Sequence, residues 1–262
     1  MAAPFQTWSP DHFAALALAV VLVGLAAVAP RGWSLARRAH FRSGFGWACI
    51  GGLMLGIYVE LTNPEKALAE AIPFHLCSVS LVLTAVALWR LSPLATEWAY
   101  VYGVAGVMQA ILTPDLPTGF PSLKYFVFFF NHGAILVGVS YLLGVENIRP
   151  RPGALLRLWF WGCCYMGMAG LINVATGTNF GYLARKPERP SLLDILGPWP
   201  WYIGAMQVLG VVKILVLLLP FRNRWSLILG APQLVEDFPR PNEESATESV
   251  PALPDQTQPE KY

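Results

Sequence analysis

The chain has 262 residues, 55% of them hydrophobic and 13% charged, an apolar share above and a charged share about half of what soluble domains carry. Eighteen Lys and Arg with sixteen Asp and Glu are too few to solvate a soluble fold of this length, and most cluster between long apolar runs. With no phosphate-cradling glycine loop and no soluble domain, neither nucleotide chemistry nor nucleic-acid binding has support.

Apolar runs of about 20 residues, long enough to cross a hydrocarbon core, occur seven times: His12 to Pro30, Gly44 to Leu61, Ile72 to Leu91, Leu94 to Leu112, Leu123 to Gly144, Leu155 to Thr176 and Trp199 to Leu219. The fold class expected is all-α, a polytopic bundle of seven transmembrane helices. Only Ser92-Pro93 separates the third run from the fourth, which predicts a tight hairpin broken at Pro93. The first run reads as a retained helix, since nothing basic precedes it and Pro30 follows the small-x-small candidate Ala27-Val28-Ala29.

Basic side chains set the expected orientation. With the N-terminus outside, the inner loops and tail hold Arg31, Arg37, Arg38, Arg42, Arg90, Arg149, Arg151, Arg157, Arg222, Arg224, Arg240 and Lys261, and the outer loops hold Lys66, Lys124, Arg185, Lys186 and Arg189. The positive-inside rule then favours N-out, C-in in a bacterial cell membrane. From Ala231 onward prolines and acids accumulate, so residues 1–230 are read as the membrane domain and 231–262 as a disordered acidic, Pro-rich cytoplasmic tail.

Within the spans, polar side chains are the informative minority because each is costly in hydrocarbon. Glu60 ends the second span, His75 and Cys77 open the third, and Gln109 lies near the end of the fourth. Asn131 and His132 sit early in the fifth, Asn173 ends the sixth, and Gln207 is early in the seventh. All fall within about 14 Å of the outer boundary at 1.5 Å per residue. The inner half contributes little beyond the loop arginines and Lys213. One polar pocket in the outer half is expected, against the alternative that each group bonds a neighbouring helix.

Cys77 stands apart from Cys49, Cys163 and Cys164, which read as small packing residues. In Pro73-Phe74-His75-Leu76-Cys77 the proline is expected to open the helix, placing the thiol in the first turn where the helix dipole stabilises a thiolate. His75 is about 200° around an ideal helix from Cys77, so a base is expected from another helix. His132, read as the other intramembrane histidine, lies at a comparable depth. A Cys and His couple suits acyl transfer through a thioester. Two alternatives stay open: a metal site drawn from Glu60, His75, Cys77 and His132, and a non-enzymatic transporter or ligand-binding protein.

The loop before the last span runs from Asn179-Phe180-Gly181-Tyr182-Leu183-Ala184-Arg185-Lys186-Pro187 to Ser191-Leu192-Leu193-Asp194-Ile195-Leu196-Gly197-Pro198-Trp199-Pro200-Trp201-Tyr202. Its rings suit an aromatic belt, and Lys186 with Arg185 could hold an anionic phospholipid headgroup. Together with Gln109-Ala110-Ile111-Leu112-Thr113-Pro114-Asp115 and Phe130-Asn131-His132, the chain resembles the integral membrane family that includes bacterial YwaF-type proteins and animal transmembrane protein 164, over residues 10 to 220. The resemblance implies seven helices and an acyltransferase that moves a fatty acyl chain between phospholipid and lysophospholipid, with Cys77 as nucleophile and His132 as its histidine. His75 and Asn131 would orient the site or stabilise an oxyanion. Glu60, Gln109, Asn173, Lys186 and Gln207 complete the expected binding set. Membrane phospholipids are the expected partners, and neither a metal nor a cofactor is called for.

Overall fold

A computed structural model describes residues 3–62, 68–186 and 192–224. The tail read for residues 231–262, and Lys66, Pro187, Arg189 and Ser191, lie outside the described residues. Among the described residues the chain is all-helical, and six helices are long and apolar enough to cross a membrane.

Helix α1 is Pro10–Val28 and continues as a 3-10 turn, Ala29–Gly32. Ser9 caps it, its hydroxyl accepting from the His12 amide, and Pro10 occupies the first turn where its missing N–H costs nothing. Helix α2 is Leu35–Leu61, starting nine residues before the apolar run expected from Gly44. Ser34 caps it by accepting from the Arg37 amide, so the basic stretch Arg37 to Arg42 is its first turns rather than a loop.

Helix α3 is Leu76–Arg90, not the longer span expected from Ile72. Its N-cap is His75, so Pro73 precedes the helix instead of opening it. Cys77 is still the second helical residue. At the other end Leu91 turns left-handed, and Ser92 caps the next helix with Pro93 in its first turn. This is the hairpin the Ser-Pro pair implied.

Helix α4 covers residues 93–112 in three successive parts: Pro93–Trp98, a π-turn Ala99–Gly103, and Val104–Leu112. It covers the fourth expected run, Leu94 to Leu112, but is not among the six helices long and apolar enough to cross a membrane. Ser122 caps α5, Leu123–Gly144, while α6 is Ala154–Thr176 and ends on the left-handed Gly177. Helix α7 is Trp201–Leu218.

Leu81, Ala85 and Leu88 of α3, Ala99 and Val107 of α4, and Ile135, Val139 and Leu142 of α5 form the main core with Cys49 of α2. Lipid offers no hydrophobic drive between helices, so close packing must hold them. A Cβ on Gly144 would lie 2.6 Å from the Ala27 carbonyl oxygen, so only glycine lets α5 and α1 touch there. Helices α6 and α7 pack through a smaller cluster, Ala154, Leu158, Ile214 and Leu218 around Val101. Tyr100 and Tyr102 of the π-turn reinforce it, donating to the carbonyls of Leu217 at 2.5 Å and Leu158 at 2.7 Å. The outward faces remain apolar, with Leu18, Val20, Leu171 and Val208 exposed, a surface that suits lipid rather than water.

Candidate functional site

The bundle has two chemically different ends. At the end where α3 finishes, Glu97 is 2% exposed. It accepts from the Arg151 amide at 2.8 Å and guanidinium at 3.1 Å, and from the Arg157 guanidinium at 2.9 Å on each oxygen. Nearby in sequence, Glu146 accepts from Arg42 at 2.6 Å and from the Tyr141 hydroxyl at 2.7 Å. The expectation that this half holds little beyond loop arginines is corrected: it carries two paired carboxylates. Burial of an acid is tolerated here because its lone pairs are filled.

At the opposite end Cys77 lies half-buried in the first turn of α3. Its sulfur is 3.6 Å from where a Cβ on Gly106 would lie, so the missing side chain on α4 makes room beside the thiol. Taking a proton off a thiol among apolar groups requires a base close at hand.

His132, on α5, holds its Nδ1 2.8 Å from the Phe128 carbonyl oxygen. A carbonyl only accepts, so Nδ1 carries the proton and Nε2 keeps the lone pair of a neutral imidazole. The ring lies 4.1 Å from that of Phe128, which fixes its plane. His75 is close enough for a charge on one imidazole to act on the other, and its ring meets the edge of Phe180 at 4.9 Å. Tyr165 of α6 donates to the Phe74 carbonyl at 3.0 Å and is within electrostatic reach of Cys77. It pins the segment that leads into the cysteine.

A third histidine, His12, sits at the edge of the first apolar run, in the first turn of α1. Its Nδ1 accepts from the Trp8 amide at 3.0 Å and its Nε2 donates to the Ile111 carbonyl at 2.7 Å. Both nitrogens are occupied, which makes it a tether between α1 and α4.

Several of the remaining polar residues are engaged with separate neighbours. Asn131 donates to the Gly52 carbonyl of α2 at 3.1 Å, the Gln207 amide meets the Met166 sulfur, and the Gln109 side chain is exposed. Glu60 stays at the end of α2. Asn173 organises the following loop. Its Oδ1 accepts from the Phe180 amide at 2.7 Å and from Thr178 at 3.0 Å, and its Nδ2 donates to the Phe180 carbonyl at 2.9 Å. Lys186 lies 5.6 Å from the Tyr202 ring centroid, a cation-π contact in the loop. Among the described residues no three His, Cys, Asp or Glu side chains gather as a metal site.

The loop also carries residues that composition could not single out. Tyr182 adopts a left-handed backbone with φ 54°, a conformation that costs a bulky residue on the order of 1–3 kcal/mol and persists only where the surroundings hold it. The Tyr202 hydroxyl donates to its carbonyl at 2.5 Å and its amide donates to Asn179 at 3.2 Å. An aromatic next to Gly181 in a turn was the available signal, and it reads equally as interfacial belt.

An all-helical chain with apolar outer faces and polar groups confined to its interior and ends is a polytopic integral membrane protein. Residues 7–218 match the TMEM164 family, and the chain belongs to that family. No curated protein and no solved structure matches it.

Proposed function

We propose that the protein is a membrane-embedded acyltransferase that moves a fatty acyl chain from a phospholipid to a lysophospholipid through a thioester on Cys77, with His132 as general base. The observation that supports it most is the tautomer of His132: Nδ1 is committed to the Phe128 carbonyl, so Nε2 is the nitrogen available to take a proton. Cys77, in the first turn of α3, has the helix dipole to favour negative charge beside it.

In this reading Nε2 takes the thiol proton and the sulfur attacks the ester carbonyl. The tetrahedral adduct collapses, the bond to the glycerol oxygen breaks, and that oxygen leaves with the proton returned by Nε2. The lysophospholipid departs, a second one gives its hydroxyl proton to Nε2, its oxygen attacks the thioester carbonyl, and collapse expels the sulfur, which takes that proton back. We read the orientation as N-outside in a bacterial membrane, because Arg31, Arg42, Arg90, Arg149, Arg151 and Arg157 share the end opposite Cys77.

The test is label exchange between a radiolabelled phospholipid and a lysophospholipid acceptor in vesicles holding the purified protein. The expected result is exchange in the wild type, a thioester on Cys77 by intact mass, and neither in Cys77→Ala. Full exchange in Cys77→Ala overturns the assignment. Saturable lipid binding with no adduct points instead to a lipid-binding or transport protein.

A further inference from the structure

We propose that Tyr182 is a further catalytic residue of this site, its phenol O–H donating to the oxyanion that forms when Cys77 attacks a lipid ester. The inference rests on the acyl-transfer reading above.

The backbone of this turn is the first argument. Gly181 and Tyr182 are both left-handed, with φ 66° and 54°. Glycine suits the first position, yet the second carries one of the bulkiest side chains, where glycine would relieve the strain. The neighbouring rings differ in burial. Phe180 enters the wall, 1% exposed and edge-on to His75, while Tyr182 stays 41% exposed. A ring needed only for packing would be the buried one.

The surroundings over-determine this conformation. Besides the bonds to Tyr182 itself, Asn173 fixes Phe180 on its N-terminal side. On its C-terminal side the Trp199 indole donates to the Leu183 carbonyl at 3.1 Å, and the Asn179 side chain accepts from the Ala184 amide at 3.1 Å. Strain held in place by this many bonds is typical of a group positioned for use.

The Tyr182 phenol extends from a turn that lies against the segment entering Cys77, with Phe180 edge-on to His75 at 4.9 Å and the Tyr165 ring 4.0 Å from where a Cβ on Gly181 would lie. Both the Cys77 sulfur and the Asp115 carboxylate are within its electrostatic reach, and Tyr165 beside it pins the segment entering Cys77. Partial burial first, then the neighbouring Asp115 and Cys77, push the Tyr182 phenol up from its ordinary range. It therefore keeps its proton through neutral pH as a donor must.

The step balances without an added reactant. As the bond from sulfur to carbon forms, the carbonyl π pair moves onto oxygen, and the Tyr182 O–H donates a hydrogen bond to that oxygen while keeping its proton. Collapse reforms the carbonyl and expels the glycerol oxygen, protonated by His132.

The experiment follows acylation of Cys77 by p-nitrophenyl octanoate, through the nitrophenolate burst and intact mass, in the full chain in detergent. Alkylation of the same thiol by iodoacetamide, which passes through no oxyanion, runs in parallel. Removal of one oxyanion donor costs about 10²–10³ in rate. The expected result is that loss in Tyr182→Phe, which keeps the ring, and in Tyr182→Gly, which suits the backbone, with alkylation unchanged in both. Tyr182→Phe acylating at the wild-type rate overturns the role of Tyr182 and leaves Cys77 standing. Equal losses of acylation and alkylation also overturn it, by showing a merely structural role. A wild-type Cys77 that alkylates but is never acylated overturns the acyl-transfer reading and Tyr182 with it.

Discussion

Where α3 ends, Glu97 is filled by two arginines and Glu146 by an arginine and a tyrosine. Where α3 begins, Cys77, His75 and His132 are groups that can be neutral, and His132 commits one of its two nitrogens to the backbone. The first arrangement has its carboxylates paired within the fold, so its contribution is structural. On the proposed reading, the second supplies the Cys77 thiol and the second nitrogen of His132 for proton transfer. The contrast teaches that the arginine-paired carboxylates and the proposed Cys77 and His132 couple occupy separate ends of this bundle.

The contrast can be broken most sharply at the histidine. His132→Gln is expected to lower acyl exchange by about 10²–10⁴ while leaving the unfolding midpoint near that of the wild type, since the ring is held by one backbone bond. A comparable loss of stability would place His132 with the structural groups. Glu97→Ala should do the reverse, destabilising by about 1.5–3 kcal/mol because two partly exposed guanidinium groups lose a charged hydrogen-bond partner. Denaturant unfolding in detergent gives that figure, and iodoacetamide labelling of Cys77 in the folded variant should proceed at the wild-type rate.

Asn173→Ala probes the join between structure and site. It strands the Phe180 amide and carbonyl, at about 1–3 kcal/mol for a buried group left unpaired, and Cys77 acylation should slow because the Phe180 to Tyr182 turn loosens. The smallest effect belongs to Lys186→Ala, a cation-π contact worth about 0.5–1 kcal/mol at an exposed position. A KM that rises for an anionic lipid donor and not for a zwitterionic one would make Lys186 a headgroup contact.

The architecture was legible because each span is a long apolar run and Ser92-Pro93 can only be a hairpin. Cys77 and His132 were visible as reactive types at similar depth. The shared depth of Asn131, Asn173 and Gln207 was visible too, but depth does not specify azimuth, and their amides turn to Gly52, Phe180 and Met166. Glu97 escaped notice because one acid among apolar residues leaves the run apolar, and its partners Arg151 and Arg157 were counted as loop charges. Tyr182 could not be separated from belt aromatics, since a positive φ on a non-glycine residue leaves no compositional trace.

The π-turn Ala99–Gly103 has a consequence for phase. One residue added to an α-helix rotates everything beyond it by about 100°. Upstream of the turn, α4 directs Glu97 to the arginines, and downstream it presents Gly106 to the Cys77 sulfur. A single extra residue therefore lets one helix serve two ends that require different faces, and shortening the turn by one residue would rotate the thiol's glycine neighbour out of register while every apolar residue stayed apolar.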